Sequence, residues 1–338
     1  MKNSIDTIPK TMRALVLNAY NGEPKLEEIP VPKPKKGEVL VKIHASPINP
    51  SDFAYIHGRY PTQKTLPAVA GFEASGKVIA TGPDLLSKRL LGKNVNCLSP
   101  NNGNGTWAQY MVTKNILAIP LNKKINLDQG SMMFINPYSA YAMVEMALKE
   151  KHTAIANTAA ASALGQMMIR LCLQKKLNLV NIVRREEQAA MLKEQGAKYV
   201  LNSSSKNFTE ELKETFNKLN VTLVYDAIGG EMTTMLADAL PAGGKISIYG
   251  GLSGSACMLN PGLFIFENKS ITGFYLTRWI EKQNLPCIIR KSNTIQKNFS
   301  DQFYSKIHKK VSIQNFQEGL NTYLKEMTAG KILIMPNE

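Results

Sequence analysis

Residues 155–165 read IANTAAASALG, an apolar strand-like run that passes through small residues into a helical pattern. A dinucleotide-binding fold needs small residues at such a turn, because the backbone must approach a pyrophosphate at the helix N-terminus. Ala160 and Ser162 stand where the first two glycines of a GxGxxG motif would stand, and Gly165 is kept. Small residues before a helix also serve close packing, so the stretch alone leaves both interpretations open.

The residues after the next apolar run favour one dinucleotide over the other. The run 179–183 predicts a strand, and Arg184 and Arg185 follow it directly. An acidic residue at this strand end would bind the ribose 2′-hydroxyl of NAD, whereas guanidinium groups match a 2′-phosphate in charge and geometry. Two exposed arginines that merely end a strand are the alternative. The position favours NADPH, and the glycine pairs 229–230 and 250–251 offer the bare backbone that its nicotinamide half needs.

Strand and helix patterns alternate over the middle of the chain. Helical patterns cover 139–148, 165–175 and 186–195, and strand-like runs cover 154–157, 179–183, 199–201, 222–227 and 245–249. Such alternation predicts an α/β fold with a doubly wound parallel sheet.

The two ends of the chain have a different character. Short β-rich runs at 14–17, 38–44 and 74–80 are separated by loops with Pro and Gly, which predicts a mostly β, partly barrel-like module. The pattern is mixed beyond residue 284, and we expect its last apolar run, 332–335, to return to the first module. The predicted domains are therefore 1–128, the β-rich module; 129–283, the NADPH-binding domain; and 284–338, the return to the first module.

The composition is that of a globular protein. Of its residues, 44% are hydrophobic and 20% are charged. With 338 residues the chain is longer than a single hydrophobic core usually supports, so we expect two domains. No apolar stretch reaches the length of a membrane span and no signal-peptide core is present, so we expect a cytoplasmic enzyme. The cysteines form no CxxC pair and the histidines no HxxxH spacing, which disfavours a metal site and a disulfide framework.

The formal net charge is +15, which can attract nucleic acid, a membrane surface or an anionic substrate. The basic residues are dispersed, with only short clusters such as Lys309 and Lys310, and no long basic tail is present. This pattern favours solvated faces over nucleic-acid binding.

Eight segments, in order along the chain, resemble the medium-chain dehydrogenase/reductase superfamily, and its zinc-free branch of quinone oxidoreductases and 2-enoyl thioester reductases fits best. They are ASPINPSDFAYIHGRYP (45–61), LPAVAGFEASGKV (66–78), GTWAQYMV (105–112), INPYSAYAMV (135–144), YDAIGG (225–230), ALPAGGKISIYGG (239–251), FENKSITGFYLTRW (266–279) and GKILIM (330–335). The resemblance implies a Rossmann domain plus a GroES-like, mostly β catalytic domain. It also implies a homodimer joined by sheet edges around 266–279.

The resemblance extends to the zinc question residue by residue. Zinc alcohol dehydrogenases hold the catalytic metal with a Cys, a His and a second Cys, and the matching positions here are Asn49, Phe72 and Asn136. Glu73 is kept, but a carboxylate without thiolate and imidazole partners cannot build that site. The loop with four structural cysteines is absent as well, so we expect no metal.

Local details are more similar to the enoyl reductases than to the quinone oxidoreductases. The segment N-P-S-D-x-x-x-x-x-G-x-Y places the tyrosine implicated in catalysis at Tyr60, and the similarity to G-F-W-L-x-x-W places Tyr275 and Trp279 in the acyl pocket. Residues 181–184 are similar to the N-V-V-R strand end of that branch. One departure is Ala163, which replaces the first glycine of the usual Ser-Gly-x-Gly turn. The cofactor-binding residues carried over by the resemblance, together with those inferred above, are Asn49, Ser139, Ser162, Ala163, Leu164, Gly165, Arg184, Arg185, Ile228, Gly229, Tyr249, Gly250, Gly251, Phe274 and Lys331.

The expected reaction is a conjugate reduction, in which hydride from NADPH adds to the β-carbon of a 2-enoyl thioester. Tyr60 would hydrogen-bond the developing oxyanion or deliver a proton to the α-carbon, and Asn49 would orient Tyr60 or the nicotinamide ribose. Coenzyme A or an acyl carrier protein would carry the acyl group. An NADPH:quinone oxidoreductase is the alternative enzyme, and an RNA-binding protein that keeps NADPH as a structural ligand is a distant third.

Overall fold

The computed structural model describes residues 8–101 and 103–338 of the chain. The strands are β1 (Thr11–Leu17), β2 (Lys25–Pro30), β3 (Glu38–Pro47), β4 (Ala68–Val69), β5 (Glu73–Thr81), β6 (Asn94–Leu98), β7 (Tyr110–Lys114), β8 (Ala118–Pro120), β9 (Ala154–Asn157), β10 (Asn178–Val183), β11 (Tyr199–Asn202), β12 (Leu223–Asp226), β13 (Lys245–Ile248), β14 (Ser270–Gly273), β15 (Ile307–Ser312) and β16 (Lys331–Met335). The α-helices are α1 (Pro50–Ile56), α2 (Leu85–Lys88), α3 (Leu127–Gly130), α4 (Ile135–Lys149), α5 (Ala163–Lys175), α6 (Glu186–Glu194), α7 (Phe208–Leu219), α8 (Glu231–Ala239), α9 (Gly262–Ile265), α10 (Leu276–Glu281), α11 (Leu285–Lys297) and α12 (Phe316–Lys325).

These elements form two compact units. The first consists of the chain up to Ile135 together with Ser305–Glu338, and the second is Asn136–Tyr304. Each unit is described by itself below.

The second unit is built on a six-stranded sheet in the order β11-β10-β9-β12-β13-β14, and every neighbouring pair is parallel. Its central strands β9 and β12 are fully buried, as expected for parallel strands that are covered on both faces. The order is that of a doubly wound dinucleotide fold, in which ligands bind where the strand order reverses. Here the reversal lies between β9 and β12, and the predicted α/β class is confirmed.

The first unit is mostly β, as predicted. It contains a three-stranded sheet, β2-β1-β4, and a larger sheet in the order β15-β16-β3-β5-β6-β8, with β7 also paired to β3. All of these pairs are antiparallel except β15 with β16. The five residues of β16 are buried, so the C-terminal strand is a central part of this unit. The run 332–335, which we predicted to return to the first module, lies in this strand.

The units divide at residues other than those predicted from the sequence, which were 128 and 283. Helix α11 belongs to the second unit, where the ammonium of its buried Lys291 forms an ion pair with the half-buried Glu145 of α4. The chain returns to the first unit at Ser305. The sequence did not predict that α11 belongs to the second unit, because lysine is usually exposed and the burial of Lys291 could not be inferred from its residue type. The functions predicted for the domains stay predictions.

No helix within residues 8–101 or 103–338 combines the length and the apolar character needed to cross a bilayer.

Candidate functional site

The turn between β9 and α5 carries the predicted phosphate-binding residues. Ser162 caps α5, since its Oγ accepts a hydrogen bond from the backbone N–H of Gly165 at 3.2 Å. A Cβ on Gly165 would lie 2.3 Å from the carbonyl oxygen of Ala160, so the helix can approach the turn only with glycine there. The N–H groups of Ala163 and Leu164 stand at the helix N-terminus, where the helix itself offers no acceptor. The arrangement suits an anion such as a pyrophosphate.

A glutamine holds this turn to the helices around it. Gln166 donates from Nε2 to the carbonyl oxygen of Ala161 at 3.0 Å, and its Oε1 accepts from Gln195 Nε2 at 3.1 Å. The turn therefore has a fixed shape without its first two glycines. Sequence inspection assigned no role to Gln166, because its partners become visible only in the fold.

The neighbouring turn after β12 is organised by the buried carboxylate of Asp226. It accepts hydrogen bonds from the hydroxyls of Thr158 (2.7 Å) and Thr233 (2.6 Å). It also accepts from the backbone N–H groups of Ile228 (2.9 Å) and Gly229 (3.2 Å). Thr158 belongs to the turn between β9 and α5, which we call the phosphate turn. The Asp226 carboxylate therefore connects the two turns at the point where the strand order reverses. Asp226 lies in a segment that the family resemblance marks, although the sequence alone gave it no role.

Other predicted cofactor residues lie elsewhere in the second unit. Ser139 is buried in α4, and the buried hydroxyl of Tyr249 has no hydrogen-bond partner among the described residues. A Cβ on Gly250 would lie 2.7 Å from the carbonyl oxygen of Ala227, whereas one on Gly251 would meet nothing within 4 Å. Glycine is thus required for packing at residue 250 and leaves open backbone at residue 251.

Arg184 and Arg185 follow β10, the sheet neighbour of β9, and both are exposed. Their backbone N–H groups each donate to Oε1 of Gln188 at 3.2 Å, and Ser204 Oγ donates to the carbonyl oxygen of Arg184 at 2.8 Å. The loop backbone is fixed by these bonds, and the two exposed arginines stand at the carboxyl end of β10. This is the side on which a doubly wound sheet binds its ligand.

The predicted acyl-pocket residues lie on and beside α10. Trp279 is buried, and its ring lies over the ammonium of Lys291, with 5.0 Å between the ring centroid and Nζ. The same ammonium lies 5.3 Å from the ring centroid of Tyr141. Phe274 and Tyr275 are half-buried at the end of β14. Trp279 is therefore held by a cation–π contact within the unit, and Lys291 is a partner that sequence inspection missed.

In the first unit, Asn49 and Lys331 come together although 282 residues separate them. The Lys331 ammonium donates to Asn49 Oδ1 and, at 3.3 Å, to the carbonyl oxygen of Ile48. Asn49 Nδ2 donates to Oε1 of Glu73 at 3.0 Å. The three side chains form one buried hydrogen-bonded chain, two members of which were predicted as site residues.

The charges around this chain lie out of reach of water. Burial raises the pKa of Asp52 to about 7, and the nearby Lys331 ammonium opposes that effect. Burial also raises the pKa of Glu73 and lowers the pKa of Lys331. Burial lowers the pKa of Lys64 to about 8, against the attraction of Asp52. Two carboxylates and two ammonium groups thus share one buried region.

Tyr60 is half-buried in the same unit. Its ring packs on Phe72, with the centroids 4.6 Å apart at an angle of 38°, and Phe72 also meets Tyr55 edge-on at 5.7 Å. Phe72, which the sequence resemblance matched to the zinc-ligating histidine, makes aromatic contacts here. Within residues 8–101 and 103–338 no cluster of three His, Cys, Asp or Glu side chains has the arrangement of a metal site.

Comparison with known proteins follows the same division of the chain. The pattern of the alcohol dehydrogenase GroES-like domain matches residues 35–123, and that of the zinc-binding dehydrogenases matches residues 163–292. The mitochondrial enoyl-acyl-carrier-protein reductase of Caenorhabditis elegans is 32% identical over 285 residues, which cover 81% of this chain and 80% of that protein. The mouse protein of the same name is 28% identical, with 96% and 89% covered.

A solved structure is similar over nearly the whole chain. It is that of a Mesorhizobium loti protein provisionally named NADPH:quinone reductase, with a TM-score of 0.92 at 32% identity, covering 98% of this chain and 100% of that one. The chain belongs to the medium-chain dehydrogenase/reductase family of oxidoreductases, and the predicted GroES-like character of the first unit is confirmed.

Proposed function

We propose that this chain catalyses the NADPH-dependent reduction of an activated carbon–carbon double bond, with a 2-enoyl thioester as the substrate. NADPH as the cofactor is supported by the position of Arg184 and Arg185 at the end of β10. This strand end lies beside the turn between β9 and α5, which Ser162 caps. The choice of a thioester as the substrate is supported by Tyr60 and by the similarity to enoyl-acyl-carrier-protein reductases.

The residues present fit a dinucleotide. The N–H groups of Ala163 and Leu164 would hold its pyrophosphate, and the two arginines its 2′-phosphate. Gly251 leaves open backbone for the nicotinamide half. In the first unit, the Lys331 ammonium donates to Asn49 and Ile48, and we assign its remaining N–H to a hydroxyl of the ligand.

When bound, NADPH supplies the hydride that adds to the β-carbon of the enoyl group. Negative charge then develops on the thioester oxygen, and a hydroxyl donor placed there lowers the barrier. We assign this donor to Tyr60, which would hydrogen-bond the oxygen or hand its proton to the α-carbon. Packing of its ring on Phe72 restricts the positions that the hydroxyl can take.

Reduction of quinones is the second candidate, and it is favoured by the similarity to the protein provisionally named NADPH:quinone reductase. A quinone needs the same hydride but no proton delivery to a carbon, so it depends less on Tyr60. RNA binding keeps only the net charge of +15 as its support, and we do not propose it.

Tyr60→Phe separates the two enzymatic candidates. We expect it to lower kcat on a trans-2-enoyl-CoA ester by about 10²-fold or more, because general acid assistance is commonly worth that much. NADPH oxidation with a simple quinone should change little. Tyr199→Phe, at a half-buried tyrosine of β11 without an assigned role, is the control. Equal activity of the wild type and Tyr60→Phe on the thioester would refute the role of Tyr60. Turnover of quinones alone would favour the second candidate.

We also propose that the protein is a homodimer joined through the β14 edge of the six-stranded sheet. β14 is the last strand of that sheet, so one side of its backbone pairs with no strand in the described part of the chain. The segment 252–266 before it carries exposed apolar side chains, among them Met258 (80% exposed), Ile265 (70%) and Phe266 (84%). An apolar surface next to a strand edge is typical of an interface between copies.

Coenzyme A and an acyl carrier protein are both anionic, so a basic protein suits either as the acyl carrier. The expected cytoplasmic location stays a proposal, since several relatives are named as mitochondrial. Imaging of the tagged chain in its own cells would decide between the two compartments.

A further inference from the structure

Glu73 is a buried carboxylate that the proposed reaction does not use. It lies at the start of β5 and is 1% exposed. Its Oε1 accepts from Asn49 Nδ2 at 3.0 Å. Its Oε2 accepts from the backbone N–H groups of Phe134 at 3.3 Å and Ile135 at 3.1 Å. Both oxygens are occupied, so the carboxylate has one fixed orientation.

That orientation sets the direction of the whole hydrogen-bonded chain. An ionised carboxylate only accepts hydrogen bonds and an ammonium only donates them, whereas an amide has one end of each kind. Because Glu73 takes the Nδ2 end of Asn49, the Oδ1 end must face Lys331. The backbone N–H of Asn49 is held as well, since it donates to Asp52 Oδ2 at 2.7 Å.

Glu73 also acts on the charge of Lys331. The lysine is buried, which disfavours its ammonium form, and the carboxylates that face it and favour that form are Glu73 of β5 and Asp52 of α1. The charge of Asp52 acts on the Lys64 ammonium as well as on Lys331, and Asp52 also faces Tyr323 of α12. Among the residues that the structure describes, Lys331 is the lysine that acts on the charge of Glu73, so the stabilisation by Glu73 is directed mainly at Lys331.

We propose that Glu73 is a positioning residue that orients Asn49 and keeps Lys331 in its charged form for the bound dinucleotide. The inference rests on the proposed function. Glu73 contacts neither the substrate nor the cofactor and acts only through Asn49 and Lys331.

Glu73→Gln is the first test, because it keeps the size of the side chain and removes its charge. We expect the dissociation constant of NADPH, followed by fluorescence, to rise about tenfold at pH 7. As the pH is raised, the dissociation constant should begin to increase about one pH unit lower than in the wild type. The reason is that loss of a neighbouring opposite charge commonly shifts a pKa, here that of Lys331, by at least that much. Asp52→Asn is the matched control, and it should shift the profile less because Asp52 is shared with Lys64.

A second variant covers the case in which Glu73→Gln does not fold. Glu73→Asp keeps the charge but shortens the reach to Asn49, so NADPH should bind more weakly at every pH with no shift of the alkaline limit. If Glu73→Gln instead weakens NADPH binding by the same factor at every pH, and the dissociation constant begins to rise at the same alkaline pH as in the wild type, Glu73 has a structural role only. That result would overturn the proposal.

A measurement without cofactor separates this inference from the proposed function. The Lys331 side-chain NMR signal, assigned by its loss in Lys331→Met, should titrate at lower pH in Glu73→Gln than in the wild type. Unchanged titration overturns the link between Glu73 and Lys331. A shifted titration in a protein that binds no NADPH would support that link and overturn the proposed function instead.

Discussion

Ala159 has a φ of 49°, in the left-handed region that favours glycine, and it lies in the phosphate turn one residue before the first missing glycine of the motif. The sequence indicated a weakened motif at Ala160 and Ser162, yet neither of these residues has a positive φ. Which glycines the turn needs could not be predicted, because the need depends on where a Cβ would point. Gly165 is required by its approach to the carbonyl oxygen of Ala160, and the strain falls on Ala159.

The strain at Ala159 gives a prediction for stability. Ala159→Gly should raise the free energy of unfolding by up to about 1 kcal/mol, since removing a Cβ at positive φ relieves strain while the unfolded chain gains some entropy. Urea denaturation followed by circular dichroism measures the change.

Ala161→Gly is the control in the same turn, because Ala161 is buried and has no positive φ. It should lower the stability by roughly 0.5–1 kcal/mol, as glycine does at ordinary backbone positions. Two changes of the same sign would contradict the assignment of strain to Ala159.

At the scale of elements, long patterned segments were predictable and short exposed ones were not. The strand-like runs expected at 154–157, 179–183 and 245–249 fall on β9, β10 and β13. Helix α7 was not predicted, although its buried residues Phe208, Leu212 and Phe216 stand four apart, which is a helical signal that was present and missed. β14 gave no such signal, because three of its four residues are exposed. Only its place beside β13 makes it a strand.

The exposed edge of β14 and segment 252–266 lead to a prediction on assembly. Phe266→Asp should convert a dimer into a monomer, because it places a charge on an apolar contact surface, and the fold should tolerate it because Phe266 is 84% exposed. Light scattering after size-exclusion chromatography gives the mass.

Ile116→Asp serves as the comparison, since Ile116 is 70% exposed and lies in the first unit, outside segment 252–266. It should leave the mass unchanged. A dimer that survives Phe266→Asp, or a wild type that is monomeric, would rule out this interface.

At the scale of the whole molecule, the first unit is assembled from both ends of the chain and the second is one continuous segment. Sequence patterns predicted this return, but not the residue at which it occurs. The contacts that join the ends are likewise absent from local sequence, because Glu73 and Lys331 meet Asn49 across 24 and 282 residues. Asn49 and Lys331 could be proposed from family resemblance, whereas Glu73 as their partner needed the fold.

This organisation predicts how fragments behave. The segment 136–304 should fold alone with a cooperative thermal transition, because it is continuous and has its own core. Residues 8–135 alone should not, since β16 lies between β15 and β3 and brings Ile332 and Ile334 to the core. Circular dichroism and NMR dispersion measure both.

Joining residues 8–135 to 305–338 by a flexible linker should restore folding of the first unit, and this fusion is the control. Cooperative unfolding of residues 8–135 without the C-terminal segment would contradict the role given to β16.

The place of Lys331 in the last strand also sets the order in which the enzyme is completed during synthesis. The second unit is fully translated before β15 and β16 exist, and domains fold largely as they emerge from the ribosome. A nascent chain, or one cut short by a premature stop codon, would therefore hold a finished dinucleotide fold while Asn49 still lacked its lysine. Under the proposed function, translation of β16, rather than folding of the dinucleotide unit, is then the event that completes the proposed site.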